Sequence, residues 1–330
     1  MKILFACCGS AGHIAPCVAV WRAVRELRPD ATAHVACSNT PEDARFLEKE
    51  GMEYTAVGSR NVTIMNILPG LLRSWRLLGR IRPDAVFTKG GGVTIPIALA
   101  AWMRRIPIVV HESDAVPGRA TRFLSHFAAL SIDGFSTGNP LRPGINQGSR
   151  EKGLRLTGMS GDRPILLVTG GSQGAQTFND AIIAHVDELL DVVDVIHITG
   201  QGKRGVEVAK AGYWKSPFVH EDLAHLYAAA DIALSRAGSG NIGELAANRI
   251  PAILIPLEGL AQNHQVANAK ATERSGGCIV LMQEHLDRDL VSAVRALAMQ
   301  PDRRAAMSTA IAALAKPDAA RRIAEELLSL

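Results

Sequence analysis

The chain has 330 residues, of which 47% are hydrophobic and 21% charged, and its formal net charge is +4. This length is sufficient for two domains of ordinary size, and the weak charge without dense basic clusters argues against a nucleic-acid-binding protein. No stretch is long and apolar enough to span a bilayer, and the apolar run at residues 2–6 is too short for a signal peptide.

In the first half, apolar runs alternate with amphipathic segments. The predicted strands are 2–8, 32–37, 84–88, 107–111 and 128–132, and the predicted helices are 13–28, 41–50, 62–81, 94–105 and 117–127. Residues 133–163 are rich in Gly, Ser, Pro and charge, which is typical of an interdomain connection. We therefore expect a first domain over 1–140 and a linker over 141–163.

The second half repeats this alternation. The predicted strands are 164–169, 194–198, 231–235, 251–255 and 278–281, and the predicted helices are 175–190, 203–211, 221–229, 239–248 and 262–275, followed by 287–299, 303–315 and 317–330. Strict alternation predicts parallel sheets covered by helices on both faces. The expected fold class is α/β, with two doubly wound Rossmann-like domains that share a cleft. The second domain is expected over 164–315, and residues 316–330 are expected to form a helix that returns to the first.

Two glycine-rich loops follow predicted strands. Residues 8–13 (CGSAGH) come after the first strand, and residues 169–175 (TGGSQGA) come after the strand near 165–168. A loop of this kind directs main-chain N–H groups and the positive end of a helix toward one point, which favours an anion. Two such loops predict a diphosphate-bearing substrate in the cleft.

The first loop does not have the spacing of a dinucleotide-binding fingerprint. Gly9 and Gly12 do not form G-x-G-x-x-G, and no acidic residue for a ribose follows the second strand at 37–39. A dehydrogenase is therefore disfavoured. His13 lies where this loop meets its helix and is either a helix-capping side chain or a catalytic one.

Polar segments follow several other predicted strands. These segments are 89–92 (KGGG), 111–114 (HESD), 236–241 (RAGSGN) and 256–258 (PLE). Residues beyond the carboxyl ends of parallel strands line the ligand crevice of open α/β sheets, although ordinary loop polarity explains any single segment. Gln265 and Asn268 share a helix face, and their amides suit sugar hydroxyls unless that face is merely solvated.

The cysteine and acidic patterns indicate no metal site. The five cysteines include no C-x-x-C pair, which favours buried reduced thiols and hence a cytosolic protein: Cys7, Cys8, Cys17, Cys37 and Cys278. The D-x-D sequence at 287–289 opens a predicted helix, where capping is the better interpretation. We expect neither a metal nor a cofactor.

Seven motifs, in order, resemble those of the MurG family of peptidoglycan glycosyltransferases over nearly the whole chain. They are GSAGHIAP (9–16), KGGGVTIP (89–96), HESDAVPG (111–118), TGNPLRP (137–143), TGGSQGAQTFN (169–179), AGSGNIGE (237–244) and QNHQVANA (262–269). The resemblance implies a GT-B fold and inverting, metal-independent transfer of N-acetylglucosamine from UDP-GlcNAc to an undecaprenyl-linked muramoyl-pentapeptide. It also implies donor binding in the second half and acceptor binding in the first.

The resemblance also implies a set of site residues. His13 and Asp114 are the two candidates for the catalytic base, and some family members have at the position of Asp114 an asparagine that touches the donor sugar. The expected substrate-binding residues are Ser10, Ala11 and Gly12 in the first loop; Asp114; Arg142 near the nucleotide; Ser172 and Gln173 at a phosphate; His220, through its main chain, at uracil; Gly238, Ser239, Gly240 and Asn241 around the diphosphate; Glu244 at the ribose; and Gln265 and Asn268 at the sugar.

The sequence departs from the family pattern at a few positions. Ala11 replaces a usual glycine, Cys7 and Cys8 precede the first loop, residues 126–137 are shortened, and residues 258–261 are atypical. These departures bear on which acceptor is used and how efficiently it reacts, more than on the chemistry of the transfer. The alternatives are a related sugar-nucleotide enzyme (a transferase to another lipid or natural product, or an epimerase) and a sugar-nucleotide-binding subunit without catalysis.

Residues 64–82 combine apolar side chains with Arg73, Arg76 and Arg80. This composition suits either attachment to an anionic membrane surface or a core helix whose arginines face water. Because the implied acceptor is lipid-linked, we expect a peripheral protein on the inner, cytoplasmic face of the cell membrane.

Overall fold

The structure is a computed structural model that describes residues 1–7, 11–58, 64–92, 94–171, 173–204, 207–259 and 263–330. The chain divides into two compact units. Unit 1 comprises Met1–Arg142 together with Lys316–Leu330, and unit 2 comprises Pro143–Ala315.

Unit 1 contains a six-stranded sheet in which every neighbouring pair is parallel. Its elements are β1 (Lys2–Ala6), α1 (Ala11–Leu27), β2 (Thr32–Ser38), α2 (Pro41–Lys49), β3 (Tyr54–Gly58), α3 (Ile64–Ile81), β4 (Ala85–Thr88), α4 (Thr94–Met103), β5 (Ile108–Glu112), α5 (Arg119–Ser125), β6 (Leu130–Asp133), the short α6 (Gly134–Thr137) and, from the end of the chain, α15 (Ala319–Leu328). The strand order is β3-β2-β1-β4-β5-β6.

Unit 2 contains a second parallel sheet of six strands. Its elements are α7 (Arg150–Thr157), β7 (Ile165–Thr169), α8 (Gln176–Ala184), α9 (Val186–Leu190), β8 (Asp194–Ile198), β9 (Tyr213–Ser216), α10 (Leu223–Ala229), β10 (Ile232–Ser235), α11 (Ser239–Ala247), β11 (Ala252–Leu254), α12 (His264–Arg274), β12 (Cys278–Val280), a 3-10 turn (Gln283–His285), α13 (Leu286–Ala298) and α14 (Pro301–Ala312). The order β12-β11-β10-β7-β8-β9 repeats that of unit 1.

Each sheet has one place where the direction of strand addition reverses. In unit 1 this switch point lies between β1 and β4, and in unit 2 it lies between β7 and β10. The loops that leave the carboxyl ends of such a strand pair run to opposite faces of the sheet, which opens a crevice between them. In each unit, one strand of this pair, β1 or β7, is the strand that a glycine-rich segment follows in the sequence.

The cores lie between the sheets and their helices. In unit 1, α15 packs on α1 and buries Ile323 and Leu327 against β1 and β2, while Leu78 and Ile97 from α3 and α4 bury the opposite face. Burial of each such side chain contributes about 1.5–3 kcal/mol. The C-terminal helix is therefore part of the core of unit 1.

The two parallel sheets with flanking helices confirm the predicted α/β fold class, but several elements differ from the prediction. The edge strands β3 and β9 were not predicted, and no helix occurs in the described part of 203–211. The expected linker contains α7, which packs on α10, and the expected helix 175–190 is divided at His185. Both missed strands lie at a sheet edge and lack the continuous apolar run that marks the inner strands, whereas the edge strands β6 and β12 were predicted.

Candidate functional site

The loop that follows β7 is held in place by close contacts between glycines. Thr169 Oγ1 accepts a hydrogen bond from the main-chain N–H of Gly171 at 3.2 Å. Gly174 has φ +64°, and a Cβ built on it would lie 2.6 Å from the Cα of Gly200, so only glycine allows this approach. The loop then enters α8, whose first N–H groups point back toward it.

The loop that follows β10 meets the β7 loop. Asn241 Nδ2 donates hydrogen bonds to Ser235 Oγ at 3.1 Å and to the carbonyl of Arg236 at 3.3 Å. A Cβ on Gly171 would lie 3.1 Å from this same Nδ2 atom. The β7 loop, which leads into α8, therefore meets the first turn of α11 at the switch point, with Gly238 as the N-cap of α11 and Ser239 and Gly240 in its first turn. Two adjacent helix N-termini form an anion-binding arrangement.

Arg236 adds a buried positive charge to this edge. Its Nη2 donates to Thr177 Oγ1 at 2.9 Å and to Gln283 Oε1 at 2.6 Å, and its guanidinium carbon lies 4.5 Å from the ring centroid of Phe178. Burial lowers its pKa to about 10, so it stays charged at neutral pH. The sequence placed Arg236 at a strand end but gave it no individual role.

Glu244 and the two expected sugar-binding amides all lie on helices near this edge. The hydroxyl of buried Tyr227 donates to Glu244 Oε2 at 2.8 Å and orients the carboxylate. Gln265 Oε1 accepts from the main-chain N–H of Leu257 at 3.0 Å, and Asn268 Nδ2 donates to the carbonyl of Ala237 at 3.1 Å. In this structure both amides therefore brace strand-end loops.

Some of the other residues that are expected to contact the nucleotide belong to the described part of the chain. His220 lines a cavity of about 300 Å³ together with Trp214 and Phe218. Gln173 is exposed, and Arg142 is partly exposed at the last position of the first segment of unit 1. Ser10 and Ser172 lie outside the described residues.

A series of hydrogen-bonded polar side chains, which was not predicted from the sequence, supports the β7 loop. Asn179 Nδ2 donates to the carbonyl of Thr199 at 3.1 Å, so its Oδ1 accepts from His197 Nε2 at 3.0 Å. His197 Nδ1 in turn accepts from the Tyr213 hydroxyl at 2.7 Å. Burial lowers the pKa of His197 to about 4, which keeps it neutral, and raises the pKa of Tyr213. The chain fixes Thr199 next to Gly200, which contacts Gly174.

The carboxyl edge of unit 1 carries Lys89, His111, Glu112 and Asp114. The Glu112 carboxylate accepts from the main-chain N–H groups of Ser113, Asp114 and Gly118 at 2.8, 3.0 and 3.0 Å, so it organises the loop that holds Asp114. Asp114 is half-buried.

Two basic side chains at this edge of the sheet, His111 and Lys89, are buried. His111 Nε2 donates to the carbonyl of Gly138 at 3.0 Å, and burial together with Lys89 lowers the His111 pKa to about 3. Lys89 donates to Asn139 Oδ1. His111 is therefore neutral at working pH, and it holds the segment that leads to Arg142.

The first glycine loop is described only where α1 begins. Ala11, Gly12 and His13 form the first turn of α1, and their side chains lie outside the described part. The position of the His13 imidazole therefore stays a prediction.

Two parts of the structure bear on the expectations about a metal ion and about the membrane. They are the acidic pair Asp287 and Asp289 of α13 and the most apolar helices. Among the described residues, no group of three or more His, Cys, Asp or Glu side chains could hold a metal ion. Asp287 and Asp289 lie in the first turn of α13, where Asp287 Oδ1 is 3.0 Å from His185 Nε2. None of the described helices combines the length and the apolarity needed to cross a bilayer.

One face of α3 leaves large apolar side chains in solvent. Leu68, Leu72 and Trp75 are 64%, 51% and 40% exposed. Arg73 and Arg76 are exposed on the same helix, and the guanidinium of Arg104 stacks 4.0 Å from the Trp75 ring centroid. Contiguous exposed apolar surface with basic residues is typical of an interaction site.

Comparisons with known proteins agree with this arrangement. The glycosyltransferase family 28 N-terminal domain matches residues 3–131, and the C-terminal domain of that family matches residues 165–323. Two relatives, from Shouchella clausii and Geobacillus kaustophilus, are both named UDP-N-acetylglucosamine–N-acetylmuramyl-(pentapeptide) pyrophosphoryl-undecaprenol N-acetylglucosamine transferase. They are 35% and 34% identical, over 87% and 92% of this chain and 88% and 92% of their own. The crystal structure of MurG from Acinetobacter baumannii, 23% identical, superimposes with a TM-score of 0.79 over 100% of this chain and 99% of its own.

Proposed function

Because the chain belongs to the MurG family of family 28 glycosyltransferases, we propose that it transfers N-acetylglucosamine from UDP-GlcNAc to an undecaprenyl-linked muramoyl-pentapeptide in peptidoglycan synthesis. The observation that carries this proposal is the meeting of the β7 loop, which leads into α8, with the N-terminal turn of α11 at the switch point of unit 2. Such a pair suits the diphosphate of a sugar nucleotide.

In the proposed donor site, the diphosphate lies against Gly238–Asn241 and the β7 loop with Ser172 and Gln173. Glu244 accepts hydrogen bonds from the ribose hydroxyls. The hydrogen bond from Tyr227 orients its carboxylate for this contact. The main chain at His220 contacts uracil and Arg142 lies near the nucleotide, while Gln265 and Asn268 contact the sugar directly or through the loops they brace.

The proposed reaction is a single displacement that inverts the anomeric centre. The acceptor hydroxyl attacks C1 of the sugar while a base removes its proton, and the C1–oxygen bond to UDP breaks. His13 is the first candidate for the base, since an unperturbed imidazole titrates near neutrality, and Asp114 is the second. The departing diphosphate is stabilised by the helix N-termini and the charge of Arg236, which are in place before the charge develops.

Unit 1 is the proposed acceptor side, and α3 is its proposed contact with the membrane. The exposed apolar face of α3 would enter the interface while Arg73, Arg76 and Arg80 meet anionic headgroups. This arrangement makes the protein a peripheral one on the cytoplasmic face, where it reaches a lipid-linked acceptor.

Release of UDP tests the proposal. The purified chain is incubated with UDP-GlcNAc in the presence and absence of a soluble lipid I analogue. We expect UDP release that requires the acceptor and is abolished or strongly reduced in Glu244→Ala. Acceptor-independent conversion of UDP-GlcNAc into an epimeric sugar nucleotide would replace the proposal with an epimerase, and binding without turnover would indicate a non-catalytic subunit.

A further inference from the structure

Residues 199–204, which follow β8 and are called the β8 loop below, lie against the start of α8. A Cβ built on Gly174 of the β7 loop would lie 2.6 Å from the Cα of Gly200. The main-chain N–H of Arg204 donates to Oε1 of Gln176, the first residue of α8, at 2.9 Å. The β8 loop therefore contacts both the β7 loop and the helix N-terminus that belong to the proposed donor site.

The first residue of the β8 loop, Thr199, is held by a buried side chain. Its carbonyl accepts a hydrogen bond from Asn179 Nδ2 at 3.1 Å, and a carbonyl only accepts, so the orientation of the Asn179 amide is fixed. Asn179 Oδ1 then faces His197 Nε2 at 3.0 Å and must accept, which places the imidazole proton on Nε2. Asn179 and His197 are 1% and 0% exposed, so water does not readily replace a lost partner.

Tyr213 supplies the last hydrogen bond of the series. Because the proton of His197 is on Nε2, its Nδ1 carries a lone pair and accepts from the Tyr213 hydroxyl at 2.7 Å. Burial lowers the pKa of His197 to about 4 and raises the pKa of Tyr213, so both groups keep their protonation states near neutral pH. All donors therefore point in one direction, from Tyr213 toward Thr199.

The proposed reaction uses neither the imidazole nor the phenol of this series. Apolar side chains of similar volume would fill the interior without requiring that every polar group keep a partner. Three polar side chains from α8, β8 and β9 are instead connected to the Thr199 carbonyl, next to the contact between Gly200 and Gly174. A fully paired buried network of this kind makes the groups that it contacts rigid.

We propose that Tyr213 and His197 are positioning residues of the donor site, which hold the β8 loop, and through Gly200 the β7 loop, in the arrangement that binds UDP-GlcNAc. This inference rests on the proposed function, which assigns the donor diphosphate to the β7 loop. Neither side chain contacts substrate in this proposal. Their loss lowers the fraction of the protein whose loops are arranged for the donor, which weakens donor binding and leaves the chemical step unchanged.

The first experiment uses Tyr213→Phe, which removes one hydroxyl and keeps the ring. His197 Nδ1 then lacks a donor in a buried position, so arrangements other than the binding one become more populated. We expect KM for UDP-GlcNAc to rise about 3- to 10-fold, while kcat and KM for a soluble lipid I analogue change less than about twofold. The Kd of UDP, measured by calorimetry, should rise together with KM for UDP-GlcNAc.

Tyr54→Phe is the matched control, because the Tyr54 hydroxyl also donates to a side chain, Glu48 Oε1 at 2.8 Å, but lies in unit 1. It should leave the KM for UDP-GlcNAc and the Kd of UDP unchanged. A Tyr213→Phe protein that is less stable in urea but keeps the wild-type KM for UDP-GlcNAc and Kd of UDP would overturn the inference, since the series would then be structural only.

The double variant Tyr213→Phe/Gly174→Ala tests whether Tyr213 acts through the contact between the loops. Once a Cβ on Gly174 has displaced Gly200, the donor site no longer depends on where the β8 loop is held. In the Gly174→Ala background, Tyr213→Phe should therefore change KM for UDP-GlcNAc less than about twofold. Effects of the two substitutions that simply multiply would contradict this route.

A further measurement does not depend on transferase activity. Nitrogen NMR of the wild-type His197 ring should show the proton on Nε2, with no titration between about pH 6 and 8. A proton on Nδ1, or a ring that titrates in this range, contradicts the inference. If the wild-type protein binds UDP but transfers no sugar, the proposed function fails, and the Kd of UDP in Tyr213→Phe still decides between positioning and purely structural roles.

Discussion

Lys89 and Arg236 are buried cations at the carboxyl edges of the two sheets. Each donates hydrogen bonds to neutral oxygens, and within the described residues neither forms an ion pair with a carboxylate. Removing such a charge from water is unfavourable unless an anion compensates it. Both positions therefore point to anionic substrates, and they do so more specifically than a glycine loop does.

The stability of Lys89→Met tests how costly the lysine is. The folded-state pKa of about 8 lies below the ordinary value of 10.5, so the charged side chain destabilises the folded protein below pH 8. This penalty disappears as pH rises from 8 to 10.5. The variant should therefore gain roughly 1–3 kcal/mol in free energy of unfolding at pH 7, measured by urea unfolding, and the gain should vanish near pH 10. A variant that is less stable than the wild type by the same amount at both pH values would show that the lysine is structural.

Prediction at the residue scale succeeded in locating polar residues and failed in pairing them. The sequence indicated that residues after β4, β5, β7 and β10 share sheet edges, because parallel strands place their carboxyl ends together. It did not reveal that Asn268 bonds to Ala237, or that Tyr213, His197 and Asn179 form one chain. Those pairs depend on strand register and helix rotation. The presence of Asn179 at the end of the motif at 169–179 was the available signal.

Among the elements, all the inner strands and the edge strands β6 and β12 were predicted, whereas the edge strands β3 and β9 were not. All residues of β7 are buried, so its apolar run is continuous, whereas β9 has the burial of a half-covered strand and contains Lys215. The segment 203–211 contains apolar residues without the cap or period of a real helix. A continuous apolar run therefore identifies a strand more reliably than a short run of mixed residues does.

The contact between Gly174 and Gly200 provides a prediction about the β7 loop. Gly174→Ala adds the cost of a positive φ, about 1–2 kcal/mol, to a Cβ placed 2.6 Å from the Gly200 Cα. Gly202 has φ +71°, and a Cβ built on it would meet no atom within 4 Å, so Gly202→Ala carries the φ cost alone. We expect Gly174→Ala to be the less stable variant in urea and to raise KM for UDP-GlcNAc at least about tenfold. Equal stability and equal KM in the two variants would mean that the contact does not shape the donor site.

The exposed face of α3 predicts attachment to anionic lipid. Replacing Arg73, Arg76 and Arg80 with glutamate reverses three charges, each worth roughly 1 kcal/mol at such a surface. The variant should no longer co-sediment with phosphatidylglycerol-containing vesicles. The control makes the same charge change at Arg274, Arg295 and Arg303, which are exposed in unit 2, and should still bind. Undiminished sedimentation of the α3 variant would refute this surface.

At the scale of the molecule, the two units have the same strand order. The chain leaves unit 1 at Arg142, builds unit 2, and returns at Lys316 to place α15 on α1. The alternation of strands and helices made this fold class predictable from the sequence. The division into units required long-range packing, because the segment expected as a linker contains a helix of unit 2.

The structure of the product tests the proposed inverting transfer of N-acetylglucosamine most directly. The full chain is incubated with UDP-GlcNAc and a soluble lipid I analogue, and the acceptor is analysed by mass spectrometry and by NMR of the new anomeric centre. We expect an acceptor that carries one additional N-acetylglucosamine in the β configuration, inverted relative to the donor. An unmodified acceptor, or an α-linked sugar, would contradict the proposed transfer.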